Sequence, residues 1–293
     1  MQCGIRLFQD IFSHKFPEQT GRRKIGTLPQ LQATQLAISQ NAEHVRHVDQ
    51  HLKNRGIVKI GLQFDDDAST YLEQLILQLH KRHGHGLPIT HSALRGSLWD
   101  IRPQFTKPPD THTARSETMN EFPWHTDCSY EESPPRYFAL QVIHPDKSGG
   151  GTLSVLDTSR LVSLLSPAAR KGLTLPEFRI AVPPEFIKQD SKTHITGNLL
   201  RMDEAKGMAE LRFREDLVTP LTAPAAAAFE ELQRVLNSAD LQSQVMQLTS
   251  AMLPRGSIVA IDNRRWLHGR NQVLDPNRHL RRVRWDAEPF NAL

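Results

Sequence analysis

Residues 120–127 read N-E-F-P-W-H-T-D, which places an imidazole, His125, and a carboxylate, Asp127, two positions apart just after Pro123. Proline favours extended backbone before it, and in an extended segment positions i and i+2 leave on the same side, so both groups can converge on one point. That is half of a metal site. Completing it demands a fold that carries a donor in from far along the chain. His268, 143 residues on, is the candidate: it follows an apolar strand, Ser257 to Ile261, within D-N-R-R-W-L-H-G-R at 262–270. Two histidines and one carboxylate, with the other coordination positions open, form the arrangement that suits non-haem Fe(II) and leaves room for a cosubstrate and O2.

The His-x-Asp spacing occurs three times, at His47/Asp49, His125/Asp127 and His144/Asp146. The first lies in Leu31 to Lys53, which reads as an amphipathic helix, where positions two apart point away from each other. The third runs through Pro145 into Lys147, Ser148 and three glycines, which is turn chemistry at the end of a strand. Only the second is matched by a distant histidine in equally polar surroundings.

An iron site of this kind also needs an anchor for its cosubstrate. If that is a dicarboxylate such as 2-oxoglutarate, its keto-acid end chelates the metal and its far carboxylate calls for a buried guanidinium able to pair with both oxygens. The segment beyond His268 offers Arg270, Arg278, Arg281, Arg282 and Arg284. Period-2 geometry puts Arg278, Arg282 and Arg284 on one strand face and Arg281 on the other. Arg278 and Arg282 stand roughly 13 Å apart along a strand, so one arginine can hold the cosubstrate while the other does something else.

The chain resembles the taurine dioxygenase / clavaminate synthase-like superfamily of Fe(II)- and 2-oxoglutarate-dependent oxygenases. The resembling parts are F-P-W-H-T-D-C-S-Y-E-E-S-P-P-R-Y-F-A-L-Q at 122–141, G-G-G-T at 149–152, G-S-I-V-A-I-D-N-R-R-W-L-H-G-R at 256–270 and R-H-L-R-R at 278–282. They follow one another in the family's order. The resemblance implies that His125, Asp127 and His268 ligate iron, that Thr152 hydrogen-bonds a 2-oxoglutarate carboxylate, that Arg278 clamps its far carboxylate, and that Arg282 meets an anionic group of the substrate. Trp124, Tyr130 and Trp266 flank the ligands; substrate-cavity lining and core packing explain them equally well.

With 293 residues, 38% hydrophobic and 23% charged, and with no apolar run near the ~18 residues a membrane helix needs, the composition is that of a soluble globular protein. We read residues 34–293 as a single dioxygenase domain. Residues 1–33, with Ile5, Leu7, Phe8, Ile11 and Phe12 followed by Arg22, Arg23 and Lys24, form an arm that packs on the domain or on a partner subunit of a homo-oligomer. The arm lacks the continuous apolar core of a secretory signal. Cys3 and Cys128 are poorly placed for a disulfide, which favours a reducing, cytoplasmic setting. Cys128 is expected to face away from the metal by strand alternation. The net charge of +4 is concentrated in the arginine-rich C-terminal segment. A nucleic-acid patch would interleave more exposed aromatics with those arginines.

Asp65 to Asp67 favour the start of a helix carrying Leu72, Leu75, Ile76 and Leu79, and His80, His83 and His85 then read as its C-terminal cap and loop. Gly56 to Gly61, Gly96 to Ile101, Arg136 to Ile143, Thr152 to Leu156, Phe178 to Val182, Asn198 to Met202 and Leu211 to Phe213 read as strands, with Arg136 to Ile143 and Thr152 to Leu156 paired across the glycine turn. Leu161 to Arg170 and Ala225 to Leu236 read as helices. Arg102 to Glu121 is long enough for a loop covering a site. Many short strands with flanking helices predict a mainly β, double-sheet jelly roll, the double-stranded β-helix. The expected activity is oxidation of an unactivated C–H bond of a small anionic, amino-acid-like metabolite, with 2-oxoglutarate and O2 yielding succinate and CO2. Oxidative cyclisation or desaturation on the same site is the alternative outcome, and a metal-binding jelly roll without activity the bland one.

Overall fold

A computed structural model describes residues 27–90, 96–104, 113–189, 191–203 and 207–290. Along the chain come β1 (Gln30–Ala33), α1 (Ala42–Arg55), β2 (Ile57–Leu62), α2 (Thr70–His83), β3 (Leu98–Ile101), β4 (Phe122–His125), β5 (Pro135–His144), β6 (Leu153–Asp157), α3 (Thr158–Ser163), α4 (Pro167–Thr174), β7 (Phe178–Ala181), β8 (His194–Gly197), β9 (Leu200–Asp203), β10 (Met208–Leu211), β11 (Val218–Pro220), α5 (Ala223–Leu236), α6 (Ala239–Gln242), β12 (Met246–Leu248), β13 (Ser257–Asp262), β14 (Trp266–Arg270) and β15 (His279–Ala287). Two sheets carry the architecture, a six-stranded one ordered β1-β2-β13-β5-β15-β3 and a four-stranded one ordered β12-β6-β14-β4. All their pairings are antiparallel except β1 with β2. This is the double-sheet jelly roll the strand pattern predicts.

The central strands of the large sheet are apolar on both faces because both faces are covered. On β5, Phe138, Leu140 and Val142 point into the space between the sheets, where Leu153, Val155 and Leu248 of the smaller sheet meet them. Tyr137 and Ala139 point outward, beneath α1 and α2. On β13, Val259 and Ile261 face in and Ile258 and Ala260 face out. On β15 Val283 and Trp285 face outward and are equally apolar, while Arg281, also outward, pairs with Asp100. Its inward residues break the rule, since Leu280 is followed by Arg282 and Arg284, both buried. Two guanidiniums on an otherwise apolar inner face are costly unless anions meet them, and that mismatch marks the functional end of the roll.

The two helices over the large sheet are set by local chemistry. Asn41 caps α1 through its side chain and Gly56, at φ 69, ends it. Asp66 accepts from the backbone N–H groups of Thr70 and Tyr71, so the acidic run does open α2, and Gly84 at φ 73 closes it. His85, just past that cap, is buried against Asp49 at 2.9 Å. A third core, built from α3 to α6 and β7 to β11, is inserted between β6 and β12.

Several expectations need correction. The stretch Leu31 to Lys53 is not one helix: Gln30–Ala33 is an edge strand of the large sheet, and a 3-10 turn precedes α1. The segment Leu161 to Arg170 divides into α3 and α4, because Ser166 caps a fresh helix ahead of Pro167. β5 and β6 do not pair across the glycine turn; they lie in opposite sheets, so that turn is a crossover. Most of the proposed arm and residues 105–112 of the proposed covering loop fall outside the described residues. The rest of that loop is tied down, with Arg270 donating to the carbonyls of Ser116, Thr118 and Asn120. Among the described residues no helix is long and apolar enough to cross a membrane.

Candidate active site

β4 and β14 pair antiparallel so that His125 stands opposite His268, and a register irregularity beyond His268 marks this end of the small sheet. The two rings lie 4.2 Å apart between centroids. Phe122 stacks on His125 at 3.6 Å and Phe138 packs beside His268 at 4.5 Å. Asp127 completes the group: its Oδ1 is 4.0 Å from His125 Nε2 and 3.8 Å from His268 Nε2. One donor atom from each of the three residues lies within 4.8 Å of the other two, and all three residues are buried.

A turn, not a continuing strand, brings Asp127 round. β4 ends at His125, and Cys128 adopts a left-handed φ of 55. Strand alternation therefore does not govern Cys128, whose Sγ takes a hydrogen bond from Arg284 Nη1. Asn263, in the turn between β13 and β14, holds the turn that carries Asp127, its Oδ1 accepting from Asp127 N at 2.7 Å and its Nδ2 donating to the carbonyls of Asp127 and Pro135. Thr126 N donates to Phe213 O at 2.7 Å, anchoring the other side. Neither anchor was singled out in the sequence; a buried asparagine after an apolar strand is the signal that Asn263 offered.

The donor set fits a metal. His125 Nδ1 lies 2.8 Å from the Pro123 carbonyl, which fixes the proton there and leaves the Nε2 lone pair facing Asp127. Burial, reinforced by His268, holds the His125 imidazole well below its usual pKa, so it is neutral. For Asp127 burial works towards protonation, but Arg282, His268 and Arg284 outweigh it and keep the carboxyl well below the usual range. Asp127 Oδ2 and His268 Nδ1 have no hydrogen-bond partner although both are buried. Two buried imidazoles and an anionic carboxylate with an orphaned oxygen match the two-histidine, one-carboxylate requirement of Fe(II).

Arg281, Arg282 and Arg284 divide as the period-2 reading expects, whereas Arg278 precedes β15, whose register is irregular after His279, and strand alternation does not govern it. Arg281 turns outward to Asp100, 2.8 Å away. Arg282 turns inward and donates from Nη1 to Asp127 Oδ1 at 3.0 Å, with Trp99 under its guanidinium at 5.1 Å. Arg284 lies beside it, 5.9 Å from the same ring. Arg278 is 5% exposed, and among the described residues its guanidinium donates to no protein acceptor. It lines a cavity together with His125 and His268, with Phe138, Leu140 and Leu153 among the apolar walls.

A second cavity, sharing His125 and Arg282 with the first, is lined by Asp127, Tyr130, Phe186 and Arg284 as well. Phe186 stacks on Tyr130 at 5.3 Å. Trp124 packs against the inserted core, while Trp266 donates to Arg55 O, away from the triad. Thr152 is half-buried and precedes β6; Leu153 is the residue lining the cavity between the triad and Arg278. His144/Asp146 does not chelate: Asp146 is spent on backbone N–H groups of the glycine turn.

Comparisons with known proteins agree with this geometry. L-asparagine oxygenase of Streptomyces coelicolor is 28% identical over 149 residues, which is 51% of this chain and 41% of that protein. The 3-((Z)-2-isocyanoethenyl)-1H-indole synthase of Fischerella ambigua is 28% identical over 180 residues, 57% of this chain and 63% of its own. The chain thus aligns with less than two thirds of either relative. A crystal structure of asparagine oxygenase with Fe(II), 2S,3S-3-hydroxyasparagine and succinate superposes with a TM-score of 0.65 at 20% identity, covering 87% of this chain and 92% of that one, and so shares the fold. The model of the family described as taurine catabolism dioxygenase TauD, TfdA matches residues 25–284, and the chain belongs to that family.

Proposed function

We propose that this protein is a non-haem Fe(II)- and 2-oxoglutarate-dependent oxygenase that oxidises an unactivated C–H bond of a small, anionic, amino-acid-like metabolite. The observation that carries the proposal is a cavity lined both by His125 and His268 of the buried His–Asp–His donor set and by the buried guanidinium of Arg278, which has no protein acceptor among the described residues. A diacid bound there would offer its keto-acid end to the metal and its far carboxylate to Arg278, with Phe138, Leu140 and Leu153 as apolar wall. His125, Asp127 and His268 would hold the metal, which supplies O2 activation coupled to decarboxylation of the cosubstrate to succinate.

The chain's own share is positioning. Arg278 pairs with the far carboxylate of 2-oxoglutarate in a two-pronged contact. Thr152 is assigned to the keto-acid end by its place after Gly149 to Gly151 alone. Arg282, beside Asp127 and facing the second cavity, meets the substrate's anionic group, and Tyr130 walls that cavity. The resemblance to an asparagine oxygenase favours an amino-acid substrate and hydroxylation. The likeness to an isocyanide-forming synthase keeps cyclisation or desaturation as the second outcome. A cytoplasmic setting is part of the proposal, motivated by the lone described thiol, Cys128, being unpaired.

The test is to load the protein with Fe(II), supply 2-oxoglutarate, and screen amino acids and small carboxylates for stimulated O2 uptake and succinate release. At least one should stimulate, and Asp127→Ala should abolish the effect. Arg282→Ala should then raise KM for that substrate far more than KM for 2-oxoglutarate. Succinate formation that no compound stimulates, or that survives Asp127→Ala, refutes the proposal.

A further inference from the structure

The turn from β5 to β6 and the loop from β14 to β15 both cross between the sheets, and one buried carboxylate fastens them together. Asp146 Oδ1 accepts from Ser148 N at 2.8 Å and Gly150 N at 3.2 Å within the turn. Its Oδ2 accepts from Leu274 N at 2.8 Å and Asp275 N at 3.2 Å across in the loop. The junction is sealed by Gly151 N donating to Gln272 O at 2.9 Å and Thr152 N donating to Asn271 Oδ1 at 2.7 Å. There is no space for side chains in the turn: a Cβ at Gly150 would lie 2.5 Å from Gln272 O, and one at Gly151, where φ is 63, would lie 2.7 Å from Arg278 Nε. Arg278 closes the same loop, its N–H donating to Asp275 O at 3.1 Å, and its stem rests against Gly151.

We infer that Asp146 is a positioning residue for the cosubstrate: by holding turn and loop in register it sets where the Arg278 guanidinium stands relative to the iron ligands. The inference rests on the reading of Arg278 given under the proposed function. A carboxylate is needed because four N–H donors converge on two oxygens, and an amide has only one acceptor. A clamp displaced by an ångström along its diacid loses its two-pronged contact while the candidate metal ligands, on β4, the turn after it and β14, stay in place.

The experiment measures 2-oxoglutarate binding to the Fe(II)-loaded protein by calorimetry with O2 excluded, together with thermal stability and the KM values of cosubstrate and substrate. In Asp146→Asn, whichever way the amide turns, one pair of N–H groups loses its acceptor and faces a donor. The dissociation constant and KM for 2-oxoglutarate should rise about tenfold or more, with iron affinity and substrate KM changed by less than about twofold. Arg278→Met serves as the control. If it leaves 2-oxoglutarate binding intact, the reading of Arg278 fails. If it weakens binding but Asp146→Asn lowers only the melting temperature, the inference is overturned. Should Asp146→Asn not fold, Asn271→Ala, which loosens the same junction from an exposed position, should weaken 2-oxoglutarate binding severalfold, and unchanged binding in that variant overturns the inference as well.

Discussion

Replacing Arg278 by Met should make the ligand-free protein no less stable while crippling its hold on 2-oxoglutarate. The opposite signs follow from the surroundings of the guanidinium. Burial, with Arg270 adding repulsion, pushes the Arg278 pKa well down from the usual guanidinium value, to about 9, despite the attraction of Asp146. Each unit corresponds to about 1.4 kcal/mol, so the cation carries a burial cost of up to about 5 kcal/mol, lessened by whatever relaxation the cavity permits. A methionine of similar length removes that cost and keeps the packing against Gly151. We expect an unchanged or raised Tm by a few degrees in the absence of ligands. Binding moves the other way, since removing one partner of a buried, hydrogen-bonded charge pair costs roughly 2–5 kcal/mol, or about 30-fold to several thousand-fold in affinity. Scanning fluorimetry of the ligand-free protein and calorimetric titration of the Fe(II)-loaded protein under argon read the two effects separately. A Tm that falls by several degrees with 2-oxoglutarate affinity intact would show Arg278 to be a structural ion pair and would refute the reasoning.

Two predictions concern the scaffold. Asp262, at the end of β13, is pushed up to about 6 by burial, with Arg136 3.8 Å away offsetting only part of it. Because the folded pKa lies above the unfolded value of ~3.9, this group's stabilising contribution is complete below that value and is lost as pH rises through about 6. Asp262→Asn should therefore flatten the stability profile between about pH 4 and 7 and raise stability at pH 8 by up to about 3 kcal/mol; denaturation curves parallel to wild type across pH would count against it. Gly56→Ala should destabilise by about 1–3 kcal/mol, since Gly56 sits at φ 69 and a Cβ there would lie 2.7 Å from Trp266 Nε1. A urea midpoint shift worth less than about 0.5 kcal/mol would contradict this.

The site was more legible than the topology, for a reason visible in particular residues. Asp127 and the histidines announce themselves because metal chemistry restricts which side chains can serve, and the arginines of β15 sort themselves by pleat alone. Strand existence was equally readable where apolar residues alternate or run. The pairing of β5 with β6 was misjudged because a glycine turn reads alike whether it closes a hairpin or crosses between sheets. The one-helix reading of Leu31 to Lys53 failed because pairing with β2, not local propensity, makes Gln30–Ala33 a strand. Asn263, Phe213 and Asp146 stayed hidden as supports because what each of them holds lies far away along the chain.

What residue chemistry and periodicity determine by themselves is a candidate donor set of a type that suits Fe(II), the face on which each arginine of the last strand lies, and a mainly β fold able to unite positions 125 and 268. Which arginine meets Asp127 and which lines a cavity with His125 and His268 was decided only by the packing of two sheets against each other. Local interactions dictate what a strand presents on each face, whereas the distance between two faces depends on every residue between them.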